Sequence, residues 1–334
     1  MERIKTMFFV VGVSCSGKSY YANKLAEKLC LPLSRLDGIY SPPIPTTPEK
    51  LLEKYNYMMN WHQQDIFIAE GFMPFTEDKD RVAFKEVLGD NIRVIYIVVK
   101  PSFEIYQRNI EERRKINALF YILDEQQYEK RYEDLADEID RPFIEFRKDS
   151  DLDMITENDI NILKYQKTGV TDIRWNQLQI DCKGKSVLDI GCCCGFYETY
   201  TKRQGVEYYS GIDLTPISKY ISPKISIRDA NNIADISLYD IVISTSMFHY
   251  IYDKEKFIKE CSEITKELFL LETPVSEIKG TVIELIQTDL YKHLMIPSKE
   301  MIEFWISKYF KSFECLGEGI SENGSKRLIF KCHK

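Results

Sequence analysis

The chain has 334 residues, 44% of them hydrophobic and 29% charged, with a net charge of −7. That length suits two domains of about 150–170 residues each, and the composition is that of an ordinary globular protein. The acidic balance argues against broad, non-specific nucleic-acid binding, which needs a basic surface.

No apolar run approaches a transmembrane helix, because the one at residues 7–11 stops at Gly12. A small-residue cleavage site is also missing, so the chain is expected to stay in the cytosol with its nine cysteines reduced. Those cysteines form no CxxC pair, and the four histidines show no zinc-ligand spacing.

In chain order, strand-like runs at 8–13, 33–37, 66–70, 94–100 and 143–147 alternate with helical patterns at 18–29, 48–61, 81–88 and 102–115. This rhythm predicts a parallel sheet with helices on both faces. Residues 116–140 are strongly charged and helical in pattern, and they read as a mobile lid covering the region 108–140. A capping box, Thr156-x-x-Asp159, opens a further helix over 156–165. The rhythm then restarts, with strands at 186–190, 208–213, 224–228, 239–245 and 268–272. Two late strands, 312–317 and 327–332, have no long helix between them and read as an antiparallel hairpin. The fold class is α/β, with two three-layer α/β/α domains expected at 1–165 and 166–334.

Each half carries a glycine-rich turn after its first strand. The first, Gly12-Val-Ser14-Cys15-Ser16-Gly17-Lys18-Ser19, matches the P-loop pattern in a strand–loop–helix context. Its glycines let backbone N–H groups curl around phosphate oxygens. Lys18 is expected to reach the β- and γ-phosphates of ATP, and Ser19 to hold Mg²⁺. Asp37, closing the second strand, is placed to accept the proton of an attacking hydroxyl, with a plain turn aspartate as the alternative. Glu70, closing the third, is assigned to Mg²⁺ or the acceptor, a strand-end cap being the competing role. Arg108, Arg113 and Arg114 suit phosphate contacts, the last two being nearest the expected lid.

This half resembles the P-loop kinases of small metabolites and polynucleotide 5′ ends, and Leu36-Asp37-Gly38 resembles the tripeptide of adenylylsulfate kinases. The arginines with which nucleoside monophosphate kinases grip an acceptor phosphate are missing between Gly38 and Asp80. The resemblance therefore implies an alcohol acceptor.

The second turn lies in Val187-Leu-Asp189-Ile-Gly191-Cys192-Cys-Cys-Gly195. It resembles motif I of the class I S-adenosylmethionine-dependent methyltransferases. In that resemblance Gly191, Cys192 and Gly195 form the cofactor turn, and Asp189 organises it and receives the ammonium. Asp213, about 20 residues on, suits the ribose hydroxyls. Leu214 is placed against the adenine and Asp229 against its amino group. Cys193 stands where the family carries glycine.

After the fourth strand, residues 244–250 lack the Asn/Asp-Pro-Pro-Tyr/Phe motif of base and amide methylation and look like small-molecule methyltransferases. His249 is a candidate general base for an oxygen acceptor, or equally a core histidine. Glu272, in Glu272-Thr-Pro274, is a further acceptor-side candidate.

The leading expectation is a bifunctional transferase acting on small-molecule substrates, with ATP, Mg²⁺ and S-adenosylmethionine as cofactors. Two others are kept: a nucleic-acid end-processing kinase with an end methyltransferase, and an ATP-sensing module on a methyltransferase.

Overall fold

The computed structural model describes residues 5–35, 65–71, 82, 84–86, 88–89, 92–115, 122–165, 170–287, 294–319 and 326–334. Asp37 and its two neighbours lie outside these residues, as does the expected helix at 48–61. The chain divides into two compact units, Met1–Lys167 and Thr168–Lys334. Among the described residues no helix is long and apolar enough to cross a membrane.

The first unit contains β1 (Lys5–Val11), α1 (Lys18–Leu29), β2 (Leu33–Arg35), β3 (Ile66–Glu70) and β4 (Ile92–Val99). After these come α2 (Phe103–Arg114), α3 (Glu125–Ile139), β5 (Ile144–Phe146) and α4 (Glu157–Tyr165). The sheet order is β2-β3-β1-β4-β5, with every pairing parallel. Parallel strands covered on both faces read as continuous apolar runs. Hence Met7-Phe-Phe-Val-Val in β1 and the run from Val94 to Val99 in β4 are buried throughout.

Helix α3 corrects the expectation of a mobile lid over residues 125–139. Its charges lie on one side, while Tyr128, Tyr132, Leu135 and Ile139 form a buried stripe at 4-3-4 spacing. Tyr128 donates its hydroxyl to the Pro101 carbonyl at 2.6 Å, and Tyr132 donates to that of Val99 at 2.6 Å. A reciprocal capping box between Asp124 and Gln127 fixes the start of the helix. A helix held at its cap, along its stripe and by two buried phenols belongs to the core.

The second unit contains α5 (Val170–Leu178), β6 (Ser186–Ile190), α6 (Phe196–Arg203), β7 (Tyr208–Asp213) and the short α7 (Ser218–Ile221). It continues through β8 (Ile225–Ile227), β9 (Tyr239–Thr245), α8 (Lys254–Ile264) and β10 (Thr265–Pro274). The last elements are β11 (Ile283–Ile286), β12 (Leu294–Pro297), α9 (Lys299–Tyr309), β13 (Ser312–Gly319) and β14 (Arg327–His333). The main sheet runs β13-β14-β10-β9-β6-β7-β8. β14 is antiparallel to both of its neighbours, whereas the remaining pairs are parallel. The closing hairpin thus lies as the sequence pattern indicates, with its second strand inserted next to β10. The ribbon β11–β12 and helix α9 are additions that the pattern did not reveal.

The Tyr132 phenol is a buried bond that shape alone cannot replace. Tyr132→Phe is expected to destabilise the first unit by about 1–2 kcal/mol and to leave the second unit unchanged. Native-state amide hydrogen exchange, read separately for the two units, checks this.

Candidate functional site

Strand β6 is the hub of the second sheet, paired with β7 on one side and β9 on the other. The chain leaves it through residues 191–195, where Gly191, Cys193 and Gly195 hold φ values of 74°, 49° and 64°. Left-handed backbone suits glycine but costs a side-chain-bearing residue on the order of 1–2 kcal/mol. Cys193 bears that cost with a compensating bond, its N–H donating to Asp213 Oδ2 at 2.7 Å. Gly191 must lack a side chain because Met247 fills the space: a Cβ there would stand 2.5 Å from Met247 Cγ. Cys192 Sγ likewise occupies the space beside Gly211, where a Cβ would meet it at 2.7 Å. Burial, reinforced by Asp189 and Asp213, raises the Cys192 thiol well above its ordinary range, so it packs as a neutral group.

Asp189 supports this turn from beneath. Its side chain is buried and Oδ2 accepts the Tyr209 hydroxyl at 2.9 Å. Burial pushes its pKa up to about 7; the Tyr209 bond pulls it down and the Asp213 charge adds to the rise. This geometry fits the expected organising role. Asp213 spends one lone pair of each oxygen, Oδ1 accepting from the Thr215 amide at 2.8 Å and Oδ2 from Cys193. Each oxygen keeps acceptor capacity for a ligand hydroxyl. Leu214 beside it is 61% exposed, as an apolar platform for a ring requires. Asp229 is mainly a turn-former, Oδ1 accepting both the backbone amide and Nδ2 of Asn231.

The far side of the site is built by the ends of β9, β10 and β14. Ser246 donates its N–H to the Glu272 carbonyl at 3.0 Å and to Oε2 at 2.9 Å. Arg327 grips Glu272 through Nε on Oε1 and Nη2 on Oε2, the latter at 3.0 Å, and also donates to Ser246 Oγ at 2.9 Å. Arg174 Nε stands 3.5 Å from Glu272 Oε1. Lys254 closes the 3-10 turn Phe248–Tyr250 by donating to the carbonyls of Phe248 at 3.0 Å and Ile251 at 2.7 Å. Burial lowers its pKa to about 8.

His249, expected as either a general base or a core histidine, is buried in the turn after β9. Burial first, then the charges of Arg327 and Lys254, pull its pKa down to about 3. An imidazole that resists protonation this strongly is a poor base near neutral pH. Its Nδ1 is buried without a hydrogen-bond partner among the described residues.

Residues 188–268 match the family of methyltransferase domains. The matched stretch lies in the second unit and runs from β6 into β10. Solved structures similar to the chain include an S-adenosylmethionine-dependent methyltransferase from Mesorhizobium loti, at 13% identity over 50% of this chain and 99% of that one, TM-score 0.40. The 1,6-didemethyltoxoflavin-N1-methyltransferase of Burkholderia thailandensis is similar at 12% identity over 55% and 86%, TM-score 0.41. Magnesium protoporphyrin IX methyltransferase from Synechocystis is similar at 14% identity over 53% and 83%, TM-score 0.38. No curated protein matches the chain in sequence.

In the first unit, β1 is the hub, flanked by β3 and β4. The loop after it carries positive φ at Gly12, Cys15 (65°) and Gly17 (94°), the last leading into α1. A Cβ on Gly12 would lie 2.7 Å from the Val99 carbonyl oxygen, so only glycine fits. Asn109 on α2 donates to the Cys15 carbonyl at 3.1 Å and ties down the loop. Lys18 lies back over it, Nζ on the Val13 carbonyl at 3.1 Å. Ser19 donates its hydroxyl to Glu70 Oε1, and Arg35 Nε stands 3.9 Å from Oε2. Ser14 is exposed on the loop and Ser16 buried within it, while Arg108, Arg113 and Arg114 are exposed on α2. The structure thus gathers Gly12, Lys18, Ser19 and Glu70 at one strand-end site. Among the described residues, no group of three or more His, Cys, Asp or Glu side chains could hold a metal ion.

Sequence reasoning missed Tyr209, Ser246, Met247, Lys254, Arg174 and Arg327. A lone arginine opening an otherwise apolar strand, Arg327-Leu-Ile-Phe, was the one available signal.

Asp189 yields a pH prediction. Its folded pKa of about 7 lies above the ordinary value of 3.8, so the folded unit holds a proton that the unfolded chain releases. The contribution to stability is complete at low pH and is lost as pH rises through 7. Asp189→Asn should therefore be more stable than wild type by about 4 kcal/mol at pH 8–9, with the gap closing towards pH 4. Urea denaturation across that range checks it.

Proposed function

We propose that the chain is a bifunctional transferase. Its second unit moves a methyl group from S-adenosylmethionine to a small-molecule acceptor. Its first unit uses ATP and Mg²⁺ to phosphorylate a hydroxyl on the same molecule or a related one.

The observation that carries the methyl-transfer reading is the bond from the Cys193 amide to Asp213. It joins the left-handed turn after β6 to the acidic end of β7, inside the stretch matched by the methyltransferase family. Asp213 would bind the ribose, Leu214 would face the adenine and Asp189 would hold the turn in shape. When bound, S-adenosylmethionine supplies an already activated methyl group, so the chain's residues need to bind, orient and exclude water rather than activate a leaving group. A neutral His249 supports an acceptor that is oriented rather than deprotonated there. The sequence after β9, without a Pro-Pro motif, supports a small molecule over a nucleic-acid base, as does the net charge of −7.

The kinase reading rests on the loop 12–19, with Lys18 for phosphate charge and the Ser19–Glu70 pair for Mg²⁺. Asp37 is proposed as the base for the hydroxyl acceptor. Its replacement by alanine separates transfer from a purely ATP-sensing role, because sensing alone would survive it.

The two sites should fail independently. Asp213→Ala is expected to weaken S-adenosylhomocysteine binding by about tenfold or more while leaving ATP binding intact. Lys18→Ala should do the reverse. Isothermal titration of both ligands against both variants decides it, and a wild type that binds no S-adenosylhomocysteine removes the methyltransferase reading.

A further inference from the structure

Ser246 follows β9 in left-handed backbone, with φ 58°, a conformation a non-glycine residue keeps only when its surroundings over-determine it. Here they do. Its N–H is held by the Glu272 carbonyl and Oε2, and its hydroxyl by Arg327 Nη2. Glu272 and Arg327 are both buried.

The next residue makes this conformation consequential. Met247 places its Cγ and Cβ 2.5 and 2.7 Å from where a Gly191 Cβ would stand. The backbone angle at Ser246 therefore determines whether Met247 rests on the turn 191–195. We propose that Arg327, the first residue of the last strand, is a positioning residue for that turn. Its guanidinium locks Ser246, and through Ser246 it seats Met247 on Gly191. This inference rests on the reading of residues 191–195 as a cofactor turn.

The role is specific to a guanidinium. Neutralising Glu272 requires only a positive charge, but spanning both carboxylate oxygens and the Ser246 hydroxyl requires a planar fork. Arg327→Lys keeps the charge and loses the fork, so it isolates the latch from the ion pair.

The test compares wild type, R327K and R327K/S246G by thermal melting, amide hydrogen exchange and titration with S-adenosylhomocysteine. R327K is expected to raise exchange at residues 246–250 and the S-adenosylhomocysteine Kd, each by about tenfold. The double variant should bind within about threefold of wild type, because glycine adopts φ 58° without help. Unchanged exchange and Kd in R327K would overturn the proposal. So would a double variant as weak as R327K, since that outcome means Arg327 acts on the ligand directly or on stability alone. If R327K does not fold, the charge-neutral pair E272Q/R327Q takes its place with the same expectations. If the wild type binds no S-adenosylhomocysteine, the cofactor reading falls, and the exchange data still decide whether Arg327 holds Ser246.

Discussion

A parallel strand bonded along both edges leaves its chain one way out, past its carboxyl end, and each unit is organised around such a strand. β1 lies between β3 and β4, and β6 between β7 and β9. The crevice beyond such a strand is where open α/β sheets bind ligands. To turn from strand into helix within a few residues, both units use left-handed backbone, at Cys15 and Gly17 in one and at Gly191, Cys193 and Gly195 in the other. The tethers then differ in polarity. Asn109 donates to a carbonyl of the first turn, whereas Asp213 accepts an amide of the second. In the first turn the Ser16 amide and the Lys18 ammonium both donate to the Val13 carbonyl, at 3.2 and 3.1 Å. The second is underlain by the buried Asp189 and edged by the Asp213 carboxylate, an arrangement that offers acceptors rather than donors.

Desolvation governs the titratable groups at the strand ends of the second unit. Burial moves His249 down to about 3 and Lys254 down to about 8, while it moves Asp189 up to about 7. Each shift favours the neutral form, as a dry environment dictates. Glu272 is fully buried and is surrounded by Arg327, Arg174 and the Ser246 amide. Removing one partner from such a group leaves a buried charge uncompensated, so the cluster behaves as a unit rather than as separate pairs. Its three main members come from the ends of three different strands, so it also fixes how those strand ends meet.

What could be read from the sequence follows the range of the interactions involved. Strands at 66–70, 186–190, 208–213 and 239–245 were legible to the residue, because central strands are apolar runs closed by turn residues. The α3 stretch misled because its charges outnumber its apolar residues, although the latter fall on one face. The ribbon β11–β12 was invisible: four residues per strand, half-exposed, alternate too briefly to register. At the site, Gly191, Asp189 and Asp213 announced themselves by spacing, since the turn and the two strand ends are local features. His249 was visible as a residue, but its environment was not. Burial is what chiefly suppresses its basicity, and the first of the cations that add to it, Arg327, comes from β14, which no local pattern links to the turn after β9.

Gly191 joins these two kinds of information. As a letter in a glycine-rich motif it signals a turn that a ligand approaches, and it needs no knowledge of the fold. In the structure the space its missing side chain would take is filled by Met247, and Met247 is there because Ser246 is held in left-handed backbone by Glu272 and Arg327. The glycine is thus the receiving surface of a contact whose cause lies at the other end of the domain. A side chain at 191 would have to displace Met247 and so work against three hydrogen bonds at Ser246. Because Met247 Cβ itself stands 2.7 Å from that space, only glycine at 247 would remove the steric reason for Gly191, and it would do so without touching the turn's left-handed backbone. The motif and the latch therefore constrain the same few atoms from opposite sides, the former through φ and the latter through volume.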